Sequence, residues 1–452
     1  MIPEFTDGYF KINSTHGFLP IQEPLERLPI QYQALQDILD NLKNFIRNTE
    51  QDNIASAVLL NLKNYLPVIQ QETDIVLIAA LYRSYCFVSS AYTLFPAHVH
   101  YVHTKEYGVA RNVLPQNLAQ PLIYLAEQLN VFPWLEYSFG YSLGNYVKIN
   151  STNGFDYTNL KMANSFIGSQ DETGFIMVHV DINQHSPKLI ESCNQLLMDR
   201  HHHINPKFSL ELIYQVLLKM NQSRKKMWEA SRWEHYNDFR VFIMGIKGND
   251  KIFPNGLIYE PETEPRYYRG QSGSQDTIIP FLDNFFRVCE YYPKNQLTSY
   301  LMDMRDYRPK PFRDLLEWVS HHNIGLIEWI ISFENTWIVL SKIYKEIYHF
   351  RNGHFQFVQK YIMANTKYPI ATGGTPIVSW LPNQIYATLD ALKHVLDNVK
   401  DKTSVEYIKE LEDYKIMSEL IQKQSQLLQT QNYNADKVYE MNETYNKKDY
   451  SI

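Results

Sequence analysis

The 452-residue sequence is short of chain breakers, with 17 glycines and 21 prolines. Together they are about 8% of the chain, against roughly 12% in ordinary proteins, which favours long helices. Cysteine is scarcer still. Cys86, Cys193 and Cys289 are odd in number and far apart, which excludes a disulfide framework and points to a reducing compartment. CxxC is absent, so cysteine zinc ribbons and thioether-linked cofactors are excluded too. Positive charge is in deficit: 43 Lys and Arg against 49 Asp and Glu leave a formal charge of −6. That removes the electrostatic case for nucleic acid or an anionic membrane. No GxSxG, HExxH or P-loop occurs, and the Gly-rich segments lack a strand–loop–helix context. The first residues, Met1 to Gly8, show neither a basic nor an apolar signal region. The most apolar stretch, Ile75 to Phe95, carries Arg83 at its centre and Ser84, Ser89 and Ser90 around it. A charge at mid-span is costly in a bilayer, so the expectation is a buried helix of a cytoplasmic protein.

Aromatic residues, by contrast, are plentiful, with 33 Tyr, 23 Phe and 7 Trp. They exclude a disordered chain and suit large apolar pockets. Residues 1 to about 30 are Pro-rich and read as a wrapped arm. From Tyr32 to Leu66 apolar residues recur at helical spacing: Leu35, Ile38, Leu39, Leu42, Phe45, Ile46. A loop is expected from Phe95 to Asn117, with a short helix after Pro121. The polar stretch Asn145–Asn164 reads as a linker, dividing a small N-terminal domain (1–158) from a larger helical one (159–400). Phe175–Val180 is an apolar run that fits a strand or the start of a helix. Asn205-Pro206 opens another helix. Residues 245–275 form a long Gly- and Pro-rich segment, and such loops are usually functional. The longest helix is expected from about Glu334 to Met363, followed by a Gly-centred loop at Ala371–Thr375. Residues 401–452 form an extension with one surface helix, frayed from Gln429. The fold class is mainly α, without repeats.

Three histidine groups invite a chemical reading. Ile343, Ile347, Arg351, His354, Val358 and Tyr361 share one helical face. A histidine on such a stripe is more often a hydrogen-bonded core residue than a ligand. A lone neutral imidazole facing an apolar cavity nevertheless suits the proximal side of a haem iron. His98-x-His100-x-x-His103 places two histidines on one side if it is a strand, with the third completing a zinc site. His201-His202-His203 reads as a solvated cluster at a helix end.

Several segments together resemble the haem-dependent indoleamine 2,3-dioxygenase family, within the superfamily shared with tryptophan 2,3-dioxygenase. They are Gly17-Phe18-Leu19-Pro20, the run Arg111 to Ala119, Leu135-Glu136-Tyr137, Gly174 to Val178, Phe239-Arg240, Lys247-Gly248-Asn249 and Gly256 to Glu260. Further matches are Gly270 to Gln275, Met304 to Tyr307, Arg351-Asn352-Gly353-His354, Lys360-Tyr361-Ile362 and Thr372 to Thr375. Their order over about residues 17–395 makes the set specific. The resemblance implies a small N-terminal domain over a large all-helical domain holding haem b, with O₂ as co-substrate. It implies His354 as the iron ligand, and Arg351, held by Asp283, at a haem propionate, with Gly270 also at the cofactor. It further implies Tyr137 and Phe175 around the indole and Arg240 on the substrate carboxylate. Ser272 and Gly273 would lie over the haem, and Thr372 with Gly373 on a closing loop.

The chain also departs from that family. His179 stands where the indoleamine enzymes carry a serine, as in the tryptophan 2,3-dioxygenase pattern, in which a distal histidine accepts the indole N–H. It could equally donate to bound oxygen and favour monooxygenation. Gln271 replaces a glycine, His235 falls near an aromatic pocket position, Gly353 precedes the ligand, and Pro376 follows the loop. The first functional reading is dioxygenation of L-tryptophan to N-formylkynurenine. The others are monooxygenation of another indole or aromatic amino acid, a non-catalytic haem or gas-binding protein, and a purely structural helical protein. A small-molecule substrate is the expected partner; the oligomeric state is open.

Overall fold

A computed structural model describes residues 1–364, 368, 370–374 and 377–430. The chain is mainly helical. Its longer helices are α1 (Gln33–Arg47), α2 (Ile75–Thr104), α3 (Gln116–Leu129), α4 (Gln170–Asn183), α5 (Ser186–His201) and α6 (Lys207–Lys225). They continue with α7 (Ile278–Phe285), α8 (Lys310–His322), α9 (Thr336–Val358), α10 (Ile377–Asp397) and α11 (Val405–Thr430). Short antiparallel strands β1 (Phe5–Thr6) and β2 (Lys11–Ile12) shape the N-terminal arm.

Among the described residues the longest helix is α2, not the one ending near Met363. It begins on Asp74, whose side chain accepts from the Val76 amide at 3.0 Å, and runs through the expected loop and through Pro96. Proline removes the N–H that would reach the Tyr92 carbonyl. That carbonyl is taken instead by the Arg111 guanidinium, and the Arg111 amide bonds the Thr93 carbonyl at 2.9 Å. Arg83 is buried and held by backbone, donating to Gly144 O at 2.7 Å and to Leu25 O, while its Nε has no partner among the described residues. Although long and apolar enough to cross a membrane, this helix lies almost wholly inside the fold. Because the histidine segment is helical, His100 and His103 share a face while His98 points away from both, and the three build no zinc site. Among the described residues no cluster of His, Cys, Asp and Glu could hold a metal ion.

His98 instead packs against Phe242 with ring centroids 4.9 Å apart, and burial pushes its pKa down to about 4. It is neutral when folded but protonated below about 6.5 when unfolded, so stability is lost as pH falls from about 6.5 to 4. The shift amounts to at most about 3 kcal/mol. His98→Phe is expected to flatten that acid limb in urea unfolding curves; an unchanged pH dependence would show that the imidazole titrates normally.

The polar stretch 145–164 is a hairpin, not a free linker. β4 (Tyr146–Lys148) pairs antiparallel with β5 (Leu160–Met162). Asn145 is fully buried, donating to Asn164 O at 2.9 Å while its Oδ1 accepts from the Asn164 amide at 2.9 Å. Phe175–Val180 lies within α4, which Ser169 caps by accepting from the Glu172 amide at 3.0 Å. Glu172 reaches back to the amides of Phe166, Ile167 and Gly168 at 2.8–2.9 Å. The large part is not all-helical. β3 (Val113–Leu114) runs parallel to β6 (Leu257–Tyr259), which pairs antiparallel with β7 (Pro265–Arg266). This sheet joins strands from both sides of the expected domain boundary. At the centre α9 packs along α6 and α10. Helix α11 docks through Lys345, which bridges Glu410 and Asp413 at 2.7–2.8 Å, while residues 431–452 lie outside the described chain.

Candidate active site

Helices α4, α6, α7 and α9, with the loops near residues 271–276 and 371–372, enclose a cavity of about 230 Å³. Phe175, Ile182, Ile279, Leu301, Phe350 and Phe357 give it apolar walls. His354 enters from α9 and His179 from α4. Burial, helped by the charges of its neighbours, pushes His354 down to about 4, so its imidazole is neutral and free to ligate. Arg351, one turn before it, also lines the cavity. Its guanidinium meets the Asp283 carboxylate and donates to Thr388 Oγ1 at 2.6 Å. Asp283 also accepts from the Tyr292 hydroxyl. The pair is buried, yet Asp283 Oδ1 has no partner among the described residues.

A second cation, Arg224 of α6, lines the same cavity, anchored through Nε to Asn221 Oδ1 at 3.1 Å. It explains Gly353. A Cβ there would lie 2.6 Å from Arg224 Nη2 and nearer still to the rest of the guanidinium. The helix gives up about 1 kcal/mol of propensity so that a charged side chain can lie on the backbone beside His354.

His179 is half-buried in the cavity wall, and burial lowers its pKa from the usual value. Its Nδ1 lies 3.2 Å from the Tyr137 hydroxyl. Tyr137 therefore stands behind His179 and is not among the residues lining the cavity. Ser272 and Gly273 do line it. The Ser272 hydroxyl is engaged with Ser274 Oγ at 2.9 Å, and a Cβ on Gly273 would meet His179 Cε1 at 3.6 Å, an ordinary contact.

Gly270 does not reach the cavity. It packs backbone to backbone against Gly245, and a Cβ on Gly270 would lie 2.6 Å from Ile243 O. Thr372 lines the cavity and is pinned at both ends. Its hydroxyl donates to Gln271 O at 2.6 Å, and its carbonyl accepts from the Gly245 amide at 2.9 Å. Gly373 is not among the residues lining the cavity; its carbonyl accepts from Arg269 at 3.2 Å. Thr375 and Pro376 lie outside the described residues. Arg240 is completely buried beneath this segment and outside the cavity wall. Nη2 donates to Ile370 O at 2.6 Å, while Nε and Nη1 have no hydrogen-bond partner among the described residues. His235 turns outward to Asp238 at 3.0 Å, and Tyr236 takes the pocket position. Arg224, Asn183 and Asp276 also line the cavity, and no local sequence pattern marks them.

A neutral imidazole opposite apolar walls, with two guanidiniums at hand, fits a flat, apolar, anionic macrocycle such as haem b. A mainly helical fold around such a pocket suits a haem enzyme, and the match to known proteins is narrower. Residues 7–377 match the profile of the indoleamine 2,3-dioxygenase family, and the chain belongs to that family of haem dioxygenases. It is 24% identical over 410 residues to indoleamine 2,3-dioxygenase 2 of Mus musculus, covering 85% of this chain and 95% of the relative. It is 25% identical to indoleamine 2,3-dioxygenase of Saccharomyces cerevisiae, covering 78% and 79%. The 6-hydroxytryptophan 2,3-dioxygenase of Fusarium equiseti is 24% identical, with 78% and 84% covered.

Proposed function

We propose that this dioxygenase acts on L-tryptophan or a closely related indole, cleaving the C2–C3 bond with both atoms of O₂ to give the N-formylkynurenine product. The observation that supports it best is the shared cavity of His354 and His179 with the Arg351–Asp283 pair. Haem b, when bound, supplies the iron chemistry that activates O₂. His354 would hold the iron and Arg351 a propionate, a role suited to a fork donor already oriented by a carboxylate. Phe175 flanks the indole, and the apolar walls exclude water. Arg240 lies just outside the cavity wall, and its two buried nitrogens without a partner among the described residues have the donor capacity for the substrate carboxylate. It sits beneath the segment that carries Thr372, whose hydroxyl adds a polar contact. Three free cysteines support a reducing, cytoplasmic setting.

The reading is tested by the mass of the product formed from reduced protein, L-tryptophan and O₂. A gain of two oxygen atoms is expected; a gain of one, or none, overturns it. His354→Ala is expected to lose the Soret band or to need added imidazole to restore it. An unchanged absorption spectrum would remove His354 as the ligand.

A further inference from the structure

Buried Tyr137 and half-buried Asp276, which itself lines the cavity, form a chain to His179 that the roles above leave unused. The Tyr137 hydroxyl is 2.8 Å from Asp276 Oδ2 and 3.2 Å from His179 Nδ1. Asp276 Oδ2 also accepts from Asn183 Nδ2 at 2.8 Å, and Oδ1 from the Ile278 amide at 2.8 Å. With three donors directed at it, Asp276 acts only as an acceptor. The single phenolic proton is therefore committed to Asp276. Only lone pairs of the phenol oxygen then remain for His179, so Nδ1 must be the nitrogen that carries hydrogen. The other ring nitrogen, Nε2, is left with its lone pair.

We propose that Asp276, acting through Tyr137, fixes His179 as the Nδ1–H tautomer, so that Nε2 offers an acceptor to the cavity and selects substrates with a free indole N–H. The proposal rests on the reading of this cavity as the indole site. Burial in apolar surroundings keeps the ring neutral, which is why the position of one proton decides its role. Asp276 and Tyr137 are positioning residues, related to His179 as the buried carboxylate of a hydrolase triad is to its histidine. The same geometry argues against His179 as a proton donor to oxygen, since the cavity-facing nitrogen has no proton to give. A site built to accept an N–H rejects an analogue that lacks it, because the acceptor is left desolvated and unpaired.

The decisive variant is Asp276→Asn. The Ile278 amide holds the surviving oxygen, so the new NH₂ faces Tyr137 and donates to it, while Asn183 turns its Oδ1, unpartnered among the described residues, to the same NH₂. The phenolic proton then turns to His179 Nδ1, and the ring hydrogen moves to Nε2. In the ferrous carbonyl form of the full-length holoprotein, ¹⁵N-histidine spectra should give His179 a protonated Nδ1 and an unprotonated Nε2. The Asp276→Asn variant should show the reverse. Tryptophan affinity should weaken roughly 10- to 100-fold in the variant, while 1-methyltryptophan barely changes. Tyr137→Phe, which cuts the chain without touching Asp276, should also erase the preference. A wild-type Nε2–H signal, or an N–H preference that survives both substitutions, overturns the proposal. Failure of the wild-type protein to take up haem or tryptophan overturns the site reading first, and this proposal with it.

Discussion

Methionine in place of Arg351 is expected to lower folding stability by about 3–5 kcal/mol, because it strands a buried carboxylate. Asp283 is 1% exposed, and its Oδ1 already lacks a partner among the described residues. The Tyr292 hydroxyl on Oδ2 cannot balance the charge alone. Haem affinity should fall as well, since the guanidinium faces the cavity in which a propionate is expected. The two effects separate in the double variant Arg351→Met/Asp283→Asn. Neutralising Asp283 removes the stranded charge, so urea unfolding should recover most of the lost stability. Haem titration followed at the Soret band should not recover, because the cation is still missing. If the double variant regained both, Arg351 would be an interhelical strut and nothing more.

What the sequence made legible follows the range of the interactions involved. The stripe from Ile343 to Tyr361 is a local pattern of period 3.6, and it brought Arg351 and His354 to one face as expected. Helix α4 was equally readable, because Ser169-Gln170-Asp171-Glu172 is an N-terminal capping signature; weighing only the apolar run that follows left strand and helix undecided. Pro96 misled for a different reason. The rule that proline ends a helix assumes the freed carbonyl has no substitute donor, and here Arg111 supplies one from beyond the helix end. Asn145 and Asn164 have a linker composition, but the Asn145 side chain satisfies both backbone groups of Asn164 across the hairpin. The chain behind His179 had no local sign. Tyr137 lies 42 positions before His179 and 139 before Asp276, so only the folded chain joins the three. Gly270 shows the converse error. Family position suggested a cofactor contact, whereas its missing side chain serves a meeting of two backbones.

That meeting underlies the second large effect: alanine at Gly245 is expected to destabilise the protein by about 3 kcal/mol or more and to disrupt the pocket. A Cβ there would lie 2.5 Å from the Arg269 carbonyl carbon, 2.8 Å from its Cα and closer still to the Gly270 amide nitrogen. These are backbone atoms, which cannot rotate away as a side chain would. Three segments converge at this point. The Gly245 amide bonds the Thr372 carbonyl at 2.9 Å, the Thr372 hydroxyl bonds Gln271 O at 2.6 Å, and Asn249 bonds Gly245 O at 2.9 Å. Moving Gly245 away from Gly270 therefore drags Thr372, and with it the loop that carries Ser272, out of register with the cavity. Gly273→Ala provides the contrast within the same loop. Its added methyl meets only His179 Cε1, at 3.6 Å, so stability should change by no more than about 0.5 kcal/mol. Urea unfolding and tryptophan binding on the two variants decide the matter. Equal stability of Gly245→Ala and Gly273→Ala would mean that the loops part freely, and that close backbone packing does not hold this side of the pocket together.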